Sequence, residues 1–180
     1  MLRSATPSCR AFTLLELGLV VLVAGILAAT VVPSVARVRE ARAAAGAYEI
    51  ARALEFARAS AAASGLPCGA RFDLDVDRLE FVMVSSNGLE GLPGALGEPE
   101  PGIDLRAGFG VDLVRMNFTV GPLMSSSDLS TIWFDHTGKP HLRTQSGELV
   151  GLLTSDGEIE LAAGQTIQVR AFSGLVEVEP

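Results

Sequence analysis

Glu16 is the residue whose setting most needs a chemical reason. It is the only charge in the run from Phe12 to Ala36, FTLLELGLVVLVAGILAATVVPSVA. A carboxylate in an apolar helix costs about 3 kcal/mol on membrane-insertion scales unless it meets a partner, so Glu16 reads as a pairing residue. Other groupings are weaker. Asp73, Asp75 and Asp77, with Glu80 beyond, have the acid density of a calcium loop, but Arg78 stands where that loop requires Gly and its bidentate Glu belongs much later. Alternation along a strand accounts for the three as one solvated face. Asp135-His136 and His141 flank the turn His136-Thr137-Gly138-Lys139-Pro140; two histidines without fixed acidic spacing make neither a zinc site nor a triad, and both are read as loop histidines. Gly108-Phe109-Gly110 is followed by no helix pattern and is no dinucleotide fingerprint. Cys9 and Cys68 set no disulfide framework, and Cys68 is expected to be buried as a small hydrophobe. With no nucleophile, base and oxyanion donor in one constellation, the chain is not read as an enzyme, and no cofactor or metal is expected.

The elements that must carry these residues fall into a simple order. Residues 1–11, MLRSATPSCRA, are polar, basic at Arg3 and Arg10, and contain Pro7, so they read as a leader. Residues 12–36 are long enough for the ~20 that a helix needs to cross a hydrocarbon core. From 37 to 64 the chain turns to Ala, Arg and Glu, strong helix formers, with apolar positions shared among the charges. That amphipathic half continues the same helix and stops at Ser64-Gly65-Leu66-Pro67, where Gly takes a left-handed cap and Pro cannot continue. Pro33 is the one interruption in the pattern. Residues 65–180 read as β-rich: a hairpin over 71–84, a Gly- and Pro-rich loop over 85–102, strands near 109–120, 131–135, 149–154 and 158–162, and a closing hairpin through Ser173-Gly174. Antiparallel sheets packed on the tail of one long helix make an α+β fold, with no further helix expected.

The string Arg10-Ala11-Phe12-Thr13-Leu14-Leu15-Glu16 resembles the class III signal sequence of type IV prepilins and type II secretion pseudopilins. In that family a basic leader ends at a small residue, an aromatic residue follows, and a Thr-Leu-(Ile/Leu)-Glu run opens the apolar helix. The likeness covers residues 10 to 36; Pro33 falls where the family often bends its helix, and Ala11 stands where Gly is usual. The resemblance implies cleavage after Ala11 by a prepilin peptidase/methyltransferase, N-methylation of the new amino terminus at Phe12, and pairing of that amine in one subunit with Glu16 of its neighbour. Such a pair penalises wrong registers more than it adds stability. It further implies a single-pass protein of the inner membrane with its β domain in the periplasm, and other pilins or pseudopilins as partners. Two other readings of the N-terminus stand beside it. Ser34-Val35-Ala36 offers a signal peptidase I site, but the apolar run is about twice the usual h-region and carries a Glu. A plain bitopic anchor leaves Glu16 unexplained, while Arg37, Arg39 and Arg42 after the span favour the opposite topology by charge bias alone.

Within the family the soluble region resembles the GspH/FimT branch, through Thr131-Ile132-Trp133-Phe134-Asp135 followed by Thr137-Gly138 and through the final hairpin. That branch implies a minor pseudopilin of a type II secretion system or a minor pilin of a type IV pilus. The net charge of −7 discourages nucleic-acid binding. Where DNA-binding relatives of the FimT kind are basic, this chain ends Glu177-Val178-Glu179-Pro180. No nucleic acid is therefore expected, and the secretion role leads over pilus assembly or DNA uptake. An unrelated membrane-anchored binding module is the reading from a different class.

Overall fold

The structure is a computed structural model that describes residues 13–94, 97–121, 123–124, 130–144 and 146–179, without the side chains of 30–36, 123 and 124. In chain order its elements are α1 (Leu14–Ser64), β1 (Cys68–Asp73), β2 (Arg78–Ser85), β3 (Gly88–Gly91), β4 (Ile103–Asp104), α2 (Leu105–Phe109), β5 (Leu113–Asn117), β6 (Thr119–Val120), β7 (Leu123–Met124), β8 (Thr131–Phe134), β9 (Pro140–Arg143), β10 (Leu149–Leu152), β11 (Gly157–Leu161), β12 (Thr166–Val169) and β13 (Val176–Glu179). The chain divides into two units, Met1–Val38 and Arg39–Pro180.

In the first unit α1 is helical from Leu14 onward, through position 33. Every described side chain from Thr13 to Ala29 is exposed. Among the described residues no helix is long and apolar enough to cross a membrane. The expected span of 12–36 extends past the described side chains at both ends, and what lies between falls short of the ~20 residues a bilayer demands.

In the second unit α1 buries one stripe: Ala43, Ala47, Ile50, Ala53, Leu54, Ala57 and Ala61. These follow the three- and four-residue spacing of a helix face, and the alanines keep it thin, so neighbouring backbone comes close. Phe56 meets Phe81 of β2 edge-on at 5.2 Å between centroids. On another side Glu55 accepts from the Val176 amide at 3.3 Å, and the Arg58 guanidinium donates to the Gly174 carbonyl at 3.3 Å. The helix stops where expected, with Gly65 at φ 72° donating to the Ala61 carbonyl at 3.0 Å.

Two antiparallel sheets share one core with this half of α1. The larger runs β10-β9-β8-β1-β2-β3, with β4 also pairing with β2; the smaller runs β13-β12-β11-β5, and β6 and β7 form a separate ribbon. Ala70, Phe72, Leu79, Phe81, Ile132 and Phe134 from the first sheet meet Ile159, Leu161, Ile167 and Val169 from the second in that core. Alternate residues face away, as the strand period of two requires.

Several expectations need correction. The hairpin of 71–84 exists, but β1 ends at Asp73 and residues 74–77 form its turn. Asp73, Asp75 and Asp77 therefore do not share a strand face, and Asp77 is buried. The segment read as strand over 109–120 opens with α2 just before it and divides into β5 and β6. Helix α2 was not expected because five residues carry no period; it is held by its ends, with Asp104 accepting the Ala107 amide at 2.7 Å and Gly110 at φ 66°. The loop of 85–102 contains β3, and Pro140–Arg143 is a strand, β9, that was read as part of a turn.

Candidate assembly site

Ala11 and Phe12 lie outside the described residues, and so does the side chain of Pro33. Glu16 is described, and it is engaged. Its Oε2 accepts the Thr13 amide at 3.0 Å and the Thr13 hydroxyl at 3.1 Å, while the Glu16 amide donates to Thr13 Oγ1 at 3.2 Å. This is a capping box, in which two amides that the helix end leaves unpaired are satisfied reciprocally. Its Thr-x-x-Glu signature stands openly in Thr13-Leu14-Leu15-Glu16, yet the sequence reading assigned Glu16 to pairing alone. The geometry adds a second role: the carboxylate sits at the positive end of the α1 dipole, bound to Thr13. Beyond it Leu14, Leu15, Leu17, Leu19, Val20, Val21, Leu22 and Val23 are exposed around the whole helix circumference. A helix that is apolar all round is built to be enclosed, by lipid or by other helices.

The acidic and histidine groupings of the second unit are structural. Asp77, 2% exposed and at φ 51°, accepts the Leu113 amide at 2.8 Å through Oδ1. Its Oδ2 faces Arg106 Nη2 at 2.7 Å, close enough for an ion pair although poorly aligned for a hydrogen bond. Asp77 thereby ties the β1–β2 turn to α2 and β5. His136 is exposed in its turn, as expected, but His141 is 2% exposed on β9 and is not a loop histidine. Its Nε2 accepts from Arg143 Nε at 2.9 Å, and Nδ1 lies 3.5 Å from the Lys139 carbonyl, which fits a neutral ring protonated at Nδ1. Burial, reinforced by the Arg143 charge, pushes the His141 pKa down to about 4. Burial by itself would raise the Asp135 pKa, but hydrogen bonds from the Thr137 hydroxyl and from the Lys139 and Thr137 amides outweigh it and hold the carboxyl below its ordinary value. Cys68 is buried as a free thiol, and burial pushes its pKa up, away from reactivity. Among the described residues no three His, Cys, Asp or Glu side chains are placed to hold a metal ion.

No family model matches the chain. No curated protein matches it either. Among solved structures, the minor pseudopilin EpsH from the type 2 secretion system of Vibrio cholerae superposes with a TM-score of 0.50 at 14% identity, over 77% of this chain and 96% of its own. The fold is pilin-like. The type IV minor pilin FimU of Pseudomonas aeruginosa is 15% identical over 76% of this chain and 91% of its own, with a TM-score of 0.47. In the β domain Asp77, Asp135 and His141 fasten turns and strands, while the side chains at the apolar start of α1 are exposed.

Proposed function

We propose that this chain is a minor pseudopilin-like subunit of an envelope filament, serving a type II secretion system. The observation that carries the proposal is the start of α1, exposed, apolar on every side and interrupted by the single carboxylate of Glu16, in a chain whose β domain has a pilin-like fold. In this reading a prepilin peptidase/methyltransferase cuts after Ala11 and methylates Phe12. Residues 12–36 hold the chain in the inner membrane, with the β domain in the periplasm, until they pass into the filament core among other pilins. Glu16 then exchanges part of its cap on Thr13 for the cationic Phe12 amine of a neighbour. Pro33 bends the helix between its two environments.

The charge pattern supports secretion over DNA uptake. Arg58 pairs with Glu55, Arg71 with Glu80, Arg106 with Asp77 and Asp112, Arg115 with Glu160, and Arg170 with Asp156 and Glu177. Guanidiniums already neutralised release few counterions from phosphates. Fluorescence anisotropy of the full chain in detergent with duplex DNA is expected to show no salt-sensitive micromolar binding; such binding would transfer the chain to the DNA-uptake reading.

Glu16→Ala tests the assembly role. The variant is expected to be cleaved and inserted normally but to lose at least tenfold of its crosslinking to partner pilins. Glu16→Gln, which retains a side-chain acceptor for the Thr13 amide but no charge, separates capping from ion pairing and is expected to fail similarly. Normal crosslinking in both would remove Glu16 from assembly.

A further inference from the structure

The β domain carries an exposed aromatic knob at one end and an apolar groove at the other. Phe172, in the turn that closes the β12–β13 hairpin, is 83% exposed. The turn that presents it is fixed on both flanks. Gly174, at φ 65°, packs so closely that an added Cβ would collide with the Gly138 carbonyl oxygen. Its carbonyl accepts from the Arg58 guanidinium at 3.3 Å, and its amide donates to the Arg170 carbonyl at 2.8 Å. Before the ring, the Ala171 amide donates to Asp156 Oδ1 at 2.8 Å. A segment held in this way has little backbone freedom left to lose on docking, which is the cost that preorganised contacts avoid.

The groove, of about 420 Å³, is lined by Phe109, Val111, Ala162 and Ala163 together with Arg39 and Arg42. Two elements fix its place relative to the knob. Ala162 and Ala163 precede β12 and Phe172 follows it, so the strand separates groove from knob. Along α1, Arg42 stands 16 residues before Arg58, about 24 Å at 1.5 Å per residue. A folded chain therefore cannot seat Phe172 in its own groove.

We propose that Phe172 of one copy docks in the groove of a second copy, in a head-to-tail contact. This contact rests on the filament reading and supplies one of its subunit junctions. The groove suits a ring in three ways. Its apolar walls take an aromatic side chain, the type that interface cores favour. Its volume falls within the range of about 300–1,000 Å³ that accepts drug-sized groups, so a phenyl ring enters whole. Arg39 and Arg42 bring guanidiniums to the ring face, and that attraction persists whether or not each also meets a carboxylate. Because knob and groove lie at opposite ends, each docked pair leaves one of each free. The contact is heterologous and propagates along an open filament, unlike a twofold interface that closes on itself.

Cysteine crosslinking in membranes tests it. Full chains carrying Ser173→Cys, beside the knob, and Ala163→Cys, in the groove, are produced together in cells that hold a prepilin peptidase and the other pilins. Both also carry Cys9→Ser, and Cys68 is buried. Oxidation is expected to give a dimer from the mixed chains and at least tenfold less from either chain alone. Adding Phe172→Ala to the Ser173→Cys chain is expected to cut the mixed dimer at least tenfold, whereas Phe172→Tyr, which keeps the ring, is expected to retain most of it. An equal dimer from Ser173→Cys alone, or a mixed dimer unchanged by Phe172→Ala, would overturn the proposal. Absence of the mixed dimer would overturn it too: if the same chains still crosslink to partner pilins, this contact alone is wrong, and if they do not, the filament reading falls with it.

Discussion

Asp77→Ala is expected to lower the stability of the β domain by about 3 kcal/mol, the sum of an orphaned buried amide and a left-handed backbone imposed on Ala. The Leu113 amide would lose the Asp77 carboxylate as its acceptor at 2.8 Å, in a strand that aligns with β11. Ala would also have to adopt φ 51°, which Asp and Asn tolerate better than other side chains. The ion pair to Arg106 adds little to this, because Arg106 is 63% exposed and also pairs with Asp112. Asp77→Asn keeps both the acceptor oxygen and the backbone tolerance, so it is expected to cost only about 1 kcal/mol, the difference between a hydrogen bond to a charged acceptor and one to a neutral acceptor. Urea denaturation of the full chain in detergent, followed by Trp133 emission, measures both. Equal losses for Ala and Asn would place the effect in the charge rather than in the Leu113 hydrogen bond.

The β domain is also expected to lose about 3 kcal/mol as pH falls from 6.5 to 4, at about 1.4 kcal/mol for each pH unit. The cause is His141, whose pKa drops from 6.5 to about 4 on folding. Between those values the unfolded chain binds a proton that the folded chain refuses, so stability rises with pH across the window. Above 6.5 both states are neutral at this position and the contribution is flat. His141→Gln can still accept from Arg143 but cannot titrate, so the wild type is expected to lose about 3 kcal/mol relative to the variant between pH 7 and pH 4. Parallel stability profiles for the two proteins would show that His141 is not the titrating group.

How far the sequence could be read depends on where each signal resides. The long helix and its stop at Gly65 were legible because helix periodicity and a Gly-Pro break are local. Paired strands were legible as alternation, and the final hairpin as Ser173-Gly174. The role of Asp77 was not, since its partner Leu113 is 36 residues away and only folding brings the two together. His141 was misread for a similar reason: Pro140 and Lys139 look like turn residues, while the pairing of His141 with Trp133 that makes β9 a strand is a long-range fact. At Glu16 the opposite happened. The capping box is local, since Thr13 and Glu16 stand three residues apart, and it is legible in the sequence as Thr-x-x-Glu beside the family resemblance that points to intersubunit pairing.

Filament assembly requires that Glu16 and the apolar helix remain after N-terminal processing. Intact-mass measurement of the protein extracted from membranes of cells that carry a prepilin peptidase addresses this directly. Cutting after Ala11 takes 11 of 180 residues and leaves 169, beginning at Phe12 with one added methyl group. That is the expected result, and it should revert to the full-length mass in cells without the peptidase. A product of 144 residues beginning at Arg37, the outcome of cutting after Ala36, would strip away Glu16 and the apolar helix together and contradict the filament reading.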